Sequence, residues 1–209
     1  MVRSGDLKHI RWLGGGSGAG KSTVARRLAA AHSAMLYDTD EAMAAHAKRC
    51  SPLLCPSLAA FVRMSMDERW VDRTPQVMLE TFHWYNGEAF DLIVEDLLDM
   101  PRDRQILVEG FRLLPRLVSP LLGELKRAVW LLPTDSFRRY AFDARGSTMD
   151  IPNRTSSPSQ ALTNLLKRDA LFTERLRFET EKLGLRSITV DESMCEVDLT
   201  EQVSDVLFG

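Results

Sequence analysis

The sequence predicts an α/β protein built on a five-stranded parallel sheet with helices on both faces. Three observations carry this. Five short apolar runs, Ile10 to Leu13, Ala34 to Tyr37, Gln105 to Val108, Ala128 to Leu132 and Ser187 to Val190, have the length of buried strands. Helical patterns separate them, as in a doubly wound sheet. The first run leads straight into a glycine-rich turn and an alanine-rich helical segment, Val24 to Ala31. Ligands of such sheets collect beyond the carboxyl ends of the strands, so the residues following each run are where chemistry is expected.

The turn after the first strand, Gly14 to Thr23, contains Gly15, four free positions, Gly20-Lys21 and Ser22. This is the phosphate-binding loop pattern. Its residue types follow from the size and charge of a polyphosphate, which must be wrapped by backbone N–H groups. Glycines allow left-handed angles and close approach, and the following helix adds unpaired donors and about half a positive charge. Gly15, Gly16, Ser17, Gly18, Ala19, Gly20, Lys21, Ser22 and Thr23 are therefore expected to hold ATP. Lys21 is expected to reach the β and γ phosphates, and the Ser22 hydroxyl to bind Mg²⁺.

After the second strand, Tyr37-Asp38-Thr39-Asp40-Glu41 offers two carboxylates. Either Asp38 or Asp40 can accept the proton of an attacking hydroxyl or hold a metal-bound water; Asp and Thr also favour helix N-termini, so one acid can cap while the other acts. The third strand ends in Glu109-Gly110-Phe111-Arg112. An acid at the tip of a strand beside a phosphate loop is placed to hold the metal's water shell, so Glu109 joins Ser22 as a metal candidate. Arg112 follows by position, as a candidate for the acceptor.

Residues 49–100 depart from simple alternation. Cys50 to Pro56 reads as a loop, and helices are expected from Ser57 to about Met64, from Thr74 to about Trp84 and from about Glu88 to Leu98. This insert is expected to cover the acceptor pocket. It carries Arg73, a planar donor suited to a polar or anionic acceptor, and the block Phe82-His83-Trp84-Tyr85, which core packing also explains. After the fourth strand, residues 138–160 contain arginines and a polar Gly- and Pro-bearing loop, the composition of a lid that excludes water. The next helix should start with Ser157, Pro158 and Gln160 as a capping box, bury Leu162, Leu165, Leu166, Leu176 and Leu183, and stop at Gly184. Lys167, Arg168 and Arg175 lie along it, and Arg168 is a candidate to stabilise the transferring phosphoryl group. A closing helix should pack Val197, Leu199, Val203, Val206 and Leu207 on the sheet.

Whole-chain properties bound these readings. The 209 residues suit one domain with an elaborated region, and the 27 basic and 29 acidic residues nearly cancel, which argues against a nucleic-acid polymer as partner. Three cysteines, Cys50, Cys55 and Cys195, read as reduced thiols of a cytoplasmic protein. No apolar run is long enough for a membrane span.

On the phosphate loop, the Asp38-Thr39-Asp40 segment, the Glu109-Gly110 segment and the arginines from Arg138 to Arg175, the chain resembles the P-loop small-molecule and nucleotide kinase superfamily. Asp38 to Asp40 is similar to the Asp-x-Asp segment of shikimate- and gluconate-type kinases. The resemblance implies a P-loop NTPase fold, ATP and Mg²⁺ as cofactors, and phosphoryl transfer to a small hydroxylated metabolite. A nucleoside or nucleotide kinase, and a nucleotide-binding module without turnover, are the alternatives. The insert matches no known acceptor pocket, so the resemblance assigns no acceptor. An Asn-Lys-x-Asp segment, which a GTP-dependent switch needs, is absent.

Overall fold

The computed structural model describes residues 4–145 and 151–209. Five strands form one parallel sheet in the order β2-β3-β1-β4-β5. They are β1 (Ile10–Gly15), β2 (Met35–Asp38), β3 (Ile106–Glu109), β4 (Ala128–Pro133) and β5 (Arg186–Val190). Each predicted apolar run overlaps one of them. β1 continues past its apolar residues because Gly14 and Gly15 still pair with Trp130 and Leu131.

The central strands are apolar throughout because both faces are covered. Ile10, Trp12, Ile106, Val108, Ala128, Trp130 and Leu132 enter one apolar layer. Leu13, Leu107, Val129 and Leu131 enter the other. The second layer is closed by α1 (Lys21–Ala31) and α11 (Glu196–Phe208), through Val24, Leu28, Leu199 and Val203. Val197 of α11, expected to pack, is 51% exposed; the helix turns it outward while Leu199, Val203 and Leu207 face the sheet.

Residues 43–99 hold six helices: α2 (Met43–Arg49), α3 (Pro56–Arg63), α4 (Met66–Trp70), α5 (Pro75–Thr81), α6 (His83–Asn86) and α7 (Phe90–Asp99). α4 was not predicted, although its start carries a complete capping box. The Ser65 hydroxyl accepts from the Glu68 N–H at 3.2 Å, and the Glu68 carboxylate accepts from the Ser65 N–H at 2.7 Å. Thr74 caps α5 as expected, accepting from the Val77 N–H at 3.3 Å. The helix expected to run on to Trp84 breaks at Phe82, whose backbone is extended at φ −76°, ψ 111°. That break turns the aromatic block inward.

After α8 (Pro115–Val118) and β4 come α9 (Asp135–Arg145) and the long α10 (Pro158–Lys182). Pro158 occupies the first helical position, but the capping box is not made. Ser157 makes no side-chain cap, and the Gln160 amide donates instead to Asn164 Oδ1 at 2.9 Å. Leu165 and Leu176 are buried, yet Asn164, Arg168, Asp169, Thr173 and Thr180 are buried beside them, so the inner face of α10 is largely polar. Gly184, left-handed at φ 65°, follows the helix end. Of the residues expected to form a lid, 146–150 lie outside the described residues. Cys50 and Cys55 form a disulfide with an S–S length of 2.06 Å, which corrects the expectation of three thiols. The turn closed by Cys55 N–H on Ser51 C=O at 2.9 Å brings the two Cα atoms within 5.8 Å. Cys195 is a free, exposed thiol. Among the described residues no helix is long and apolar enough to cross a membrane.

One close approach fixes where β2 and β3 end. Gly110 has φ 145°, and a Cβ there would meet Thr39 Oγ1 at 1.7 Å. Gly110→Ala is expected to cost at least ~3 kcal/mol, from backbone strain plus a clash in a fully buried spot. The urea midpoint, compared with wild type, measures this.

Candidate active site

The carboxyl ends of β1, β2 and β3 come to one level. Leu13 and Asp38 both pair in register with Glu109, the Gly110 N–H donates to Leu13 C=O at 3.2 Å, and the Thr39 N–H donates to Glu109 C=O at 2.9 Å. The glycine loop rises from this level. Its backbone takes positive φ at Gly15 (138°), Gly18 (82°) and Gly20 (77°), and a Cβ on Gly15 would lie 2.2 Å from Leu131 C=O. Gly20 precedes the first turn of α1, and no side chain caps that turn. The first turn of a helix lacks i−4 carbonyl partners for its N–H groups; here the Thr23 N–H donates to Gly20 C=O at 3.1 Å. Lys21 folds back so that its ammonium donates to Gly16 C=O at 2.9 Å.

Three acids meet this loop. Glu109 is 1% exposed. Burial pushes its carboxyl above the usual range, while Lys21 and a hydrogen bond from Ser22 pull it back. Asp40 opens onto the cavity, but the surrounding protein desolvates it. Its pKa is raised by that and by Asp38, with Lys21 opposing. Asp38 behaves differently: its Oδ1 accepts from the Asp40 N–H at 2.7 Å and the Glu41 N–H at 3.3 Å. It holds the turn, and Asp40 is the acid that faces the cavity.

That cavity measures ≈330 Å³. One end is formed by Ser17, Gly18, Lys21, Ser22 and Asp40. The remainder is walled by Phe61, Trp70, Phe82, His83, Trp84, Tyr85 and Phe111, with Phe142, Ile151 and Leu165, and with the Arg168–Asp169 pair at its side. Tyr85 stacks on Phe172 at 3.7 Å and donates to Asp169 Oδ1 at 2.8 Å. Its hydroxyl is also hydrogen-bonded to Ser17, so a hydrogen-bonded chain runs from the glycine loop to α10. The Arg168 guanidinium donates from Nε and Nη2 to Asp169 Oδ1 at 2.9 and 2.7 Å. It lies over the rings of Trp70, Phe82 and Tyr85 at 5.1, 4.9 and 5.1 Å. Burial opposes its charge, but Asp169 outweighs this and raises its pKa.

No protein-family model matches the chain, and no curated protein matches it. Two solved structures are similar to it along nearly the whole length. One is an uncharacterized protein from Eubacterium ventriosum ATCC 27560, with TM-score 0.47 and 15% identity, covering 95% of this chain and 97% of that one. The other is shikimate kinase from Acinetobacter baumannii in complex with shikimate, with TM-score 0.44 and 14% identity, covering 98% and 96%.

Two of the expected acceptor residues lie elsewhere. Arg73 donates to Thr81 Oγ1 at 2.9 Å and Arg69 C=O at 3.1 Å and faces a separate surface groove with Gln160 and Asn164. Arg112 is 2% exposed and braces the wall from behind. It donates to Thr39 C=O at 3.1 Å and Ala89 C=O at 3.2 Å, and lies over the Trp84 ring at 4.2 Å. Burial lowers its pKa to about 10. Arg112 Nη1 is also 3.0 Å from His46 Nδ1, and His46 Nε2 is 2.7 Å from Asp96. That buried network, which sequence patterns did not reveal, supports the Asp38–Asp40 turn from beneath. Arg138 stands against the glycine loop, 3.3 Å from where a Gly18 Cβ would be, but is engaged with Asp135 and Thr173 at 2.6 and 2.7 Å.

His83 is 2% exposed, and burial, with Arg112, Arg69 and Arg168 nearby, lowers its pKa to about 4. It is neutral in the folded protein at pH 7. The unfolded chain, near 6.5, binds the proton more readily, so this contribution to stability is complete above pH 6.5 and lost as pH falls toward 4. The shift corresponds to ~3 kcal/mol. In His83→Phe the fall in unfolding free energy between pH 7 and 4 is expected to shrink by about that amount, read from urea titrations at each pH.

Proposed function

We propose that the chain is an ATP-dependent phosphotransferase that moves the γ-phosphoryl group to the hydroxyl of a small acceptor held in the aromatic cavity. One observation carries this reading: Lys21 and Ser22, at the start of the helix behind the glycine loop, open into the same cavity as the carboxyl of Asp40. A phosphate grip and an acid suited to accept a proton from a hydroxyl therefore share one space. The five-stranded parallel architecture is compatible with a P-loop kinase-like fold.

In this reading the N–H groups from Gly15 to Ser22 wrap the triphosphate, and the Lys21 ammonium leaves the Gly16 carbonyl for the β and γ phosphates. Mg²⁺ fits the donors present, because it is commonly bound by one or two protein oxygens together with phosphates and water. The Ser22 hydroxyl would hold it, and Glu109, hydrogen-bonded to Ser22, would hold its water shell. When bound, Mg²⁺ supplies charge neutralisation across the phosphate oxygens. Asp40 orients the acceptor hydroxyl in line and takes its proton as the O–P bond forms. The aromatic wall excludes water as a competing acceptor. Arg168 serves the acceptor side through a hydrogen bond, since Asp169 already balances its charge.

Two results test this. Lys21→Ala is expected to lower acceptor-dependent ADP release at least ~100-fold, the scale for losing one preorganised donor; unchanged turnover rejects the role. Asp40→Asn is expected to lower kcat by at least ~100-fold while calorimetry shows ATP affinity little changed. Asp40 must be ionised to take a proton, and its pKa is raised. The wild-type rate should therefore fall on the acid side as pH drops through a carboxyl pKa above the ordinary value. The residual activity of the Asn variant should lack that limb. ATP binding with no acceptor-dependent ADP from any metabolite pool would instead indicate a binding module without turnover.

A further inference from the structure

We infer that the acceptor is an uncharged alcohol carrying a flat aromatic or heteroaromatic ring, with a neutral nucleoside as its representative, rather than a phosphorylated or carboxylated metabolite. This rests on the phosphotransferase reading above and names its second substrate.

The wall of the cavity is aromatic. Phe61 meets Trp70 edge-on at 5.6 Å and Phe82 at 5.4 Å, and Trp84, Tyr85 and Phe111 line the same space. A polyol placed there would leave hydroxyls without partners against ring faces, which is costly. A flat ring stacks on such faces, with a favourable contribution for every base type because each has a π-face.

Charge excludes an anionic acceptor as well. Among the described residues the cationic side chains lining the cavity are Lys21 and Arg168. Lys21 stands at the glycine loop, where the donor triphosphate is placed. Arg168 is ion-paired with Asp169 at 2.7 Å, and both are buried. The pair presents no net charge to an acceptor. Asp40 adds a negative one, and His83 is neutral. An anionic acceptor would lose its hydration without meeting an unmatched cation.

Size points the same way. The ≈330 Å³ volume is at the small end for ligand sites, which suits one ring-bearing molecule rather than a second phosphorylated nucleotide.

Trp70 and Trp84 line the cavity, whereas Trp12 and Trp130 lie buried in the sheet, so tryptophan fluorescence reports occupancy. The protein, with a non-hydrolysable ATP analogue present, is titrated with thymidine, adenosine, their 5′-monophosphates and shikimate. At least one nucleoside is expected to quench and to bind at least ~10-fold more tightly than its monophosphate or shikimate, a 1.4 kcal/mol preference. Asp169→Asn, which leaves the Arg168 charge unbalanced, is expected to abolish or reverse that preference. If this variant misfolds by circular dichroism, Phe61→Ala serves in its place and should weaken nucleoside binding ~10-fold, the scale of one stacking contact, with ATP-analogue affinity kept. Tighter binding of a monophosphate or of shikimate by the wild type overturns the inference. So does an absence of nucleoside binding at ~10 mM, below any useful affinity, while the ATP analogue binds. Failure of the ATP analogue itself, by separate calorimetry, removes the phosphotransferase reading instead.

Discussion

A carboxyl group with 1% of its surface exposed is the constraint to which the rest of the site is fitted. Burial disfavours the charge of Glu109 at the end of β3, and Lys21 and a hydrogen bond from Ser22, both in the first turn of α1, oppose that; an isolated buried charge would be too costly. The loop that carries them crosses β4 closely at Gly15, where a Cβ would lie 2.2 Å from Leu131 C=O. Glu109 also sets the neighbouring strand. The Thr39 N–H hangs on the Glu109 carbonyl, and the residue after Glu109 must lack a Cβ because Thr39 fills the space. Asp40 is thereby carried over the mouth of the loop, and the acid that faces the cavity is fixed by the pairing of β2 with β3.

From that charged corner the cavity becomes progressively apolar, and the change follows from what supplies each wall. Strand ends and the start of α1 provide the polar end. The broken helix around Phe82 provides the aromatic side. Asn164 of α10 ties the two sources together, donating to Trp70 C=O at 3.1 Å and Val71 C=O at 3.2 Å. Tyr85 adds a second tie, stacking on Phe172 while its hydroxyl meets Asp169. The insert is thus held against α10 by hydrogen bonds to backbone carbonyls as well as by rings, and such directional ties favour one arrangement of the aromatic wall over the many that apolar contact alone permits.

The frame and the glycine loop were legible because they depend on local signals: apolar runs bounded by polar residues, and a motif with fixed spacing. The acids after β2 and β3 were legible for the same reason, since strand ends position them. What escaped depended on tertiary packing. The polar stripe of α10 looks from sequence like a solvated charged face; Tyr85 of the insert covers Asp169, and Arg138 and the glycine loop cover Thr173. Position alone suggested that Arg112 entered the mouth; Thr39 and Ala89 carbonyls hold it behind Trp84. The Ser157 cap was displaced because Gln160 found Asn164, itself recruited by the insert. The Cys50–Cys55 bond required knowing that the loop between them turns back. α4 is the exception, for its capping box was present in the sequence.

The arginines also bear on where, in the proposed reading, neutralisation of a triphosphate would come from. Arg112 is spent on carbonyls and the Trp84 face, Arg138 on Asp135 and Thr173, and Arg168 on Asp169. Each already satisfies an internal group, and withdrawing one would leave buried partners such as Thr173 or Asp169 unpaired. In the proposed reading the phosphates would then be met chiefly by oriented N–H groups of the loop, by Lys21 and by a metal at Ser22. Oriented N–H groups need no reorganisation as charge shifts during transfer, so a site that commits its arginines to structure gains in preorganisation what it loses in mobile charge. The same commitment leaves the cavity beyond Asp40 without a surplus of positive charge, which ties the chemistry of the acceptor to the way the fold is held together.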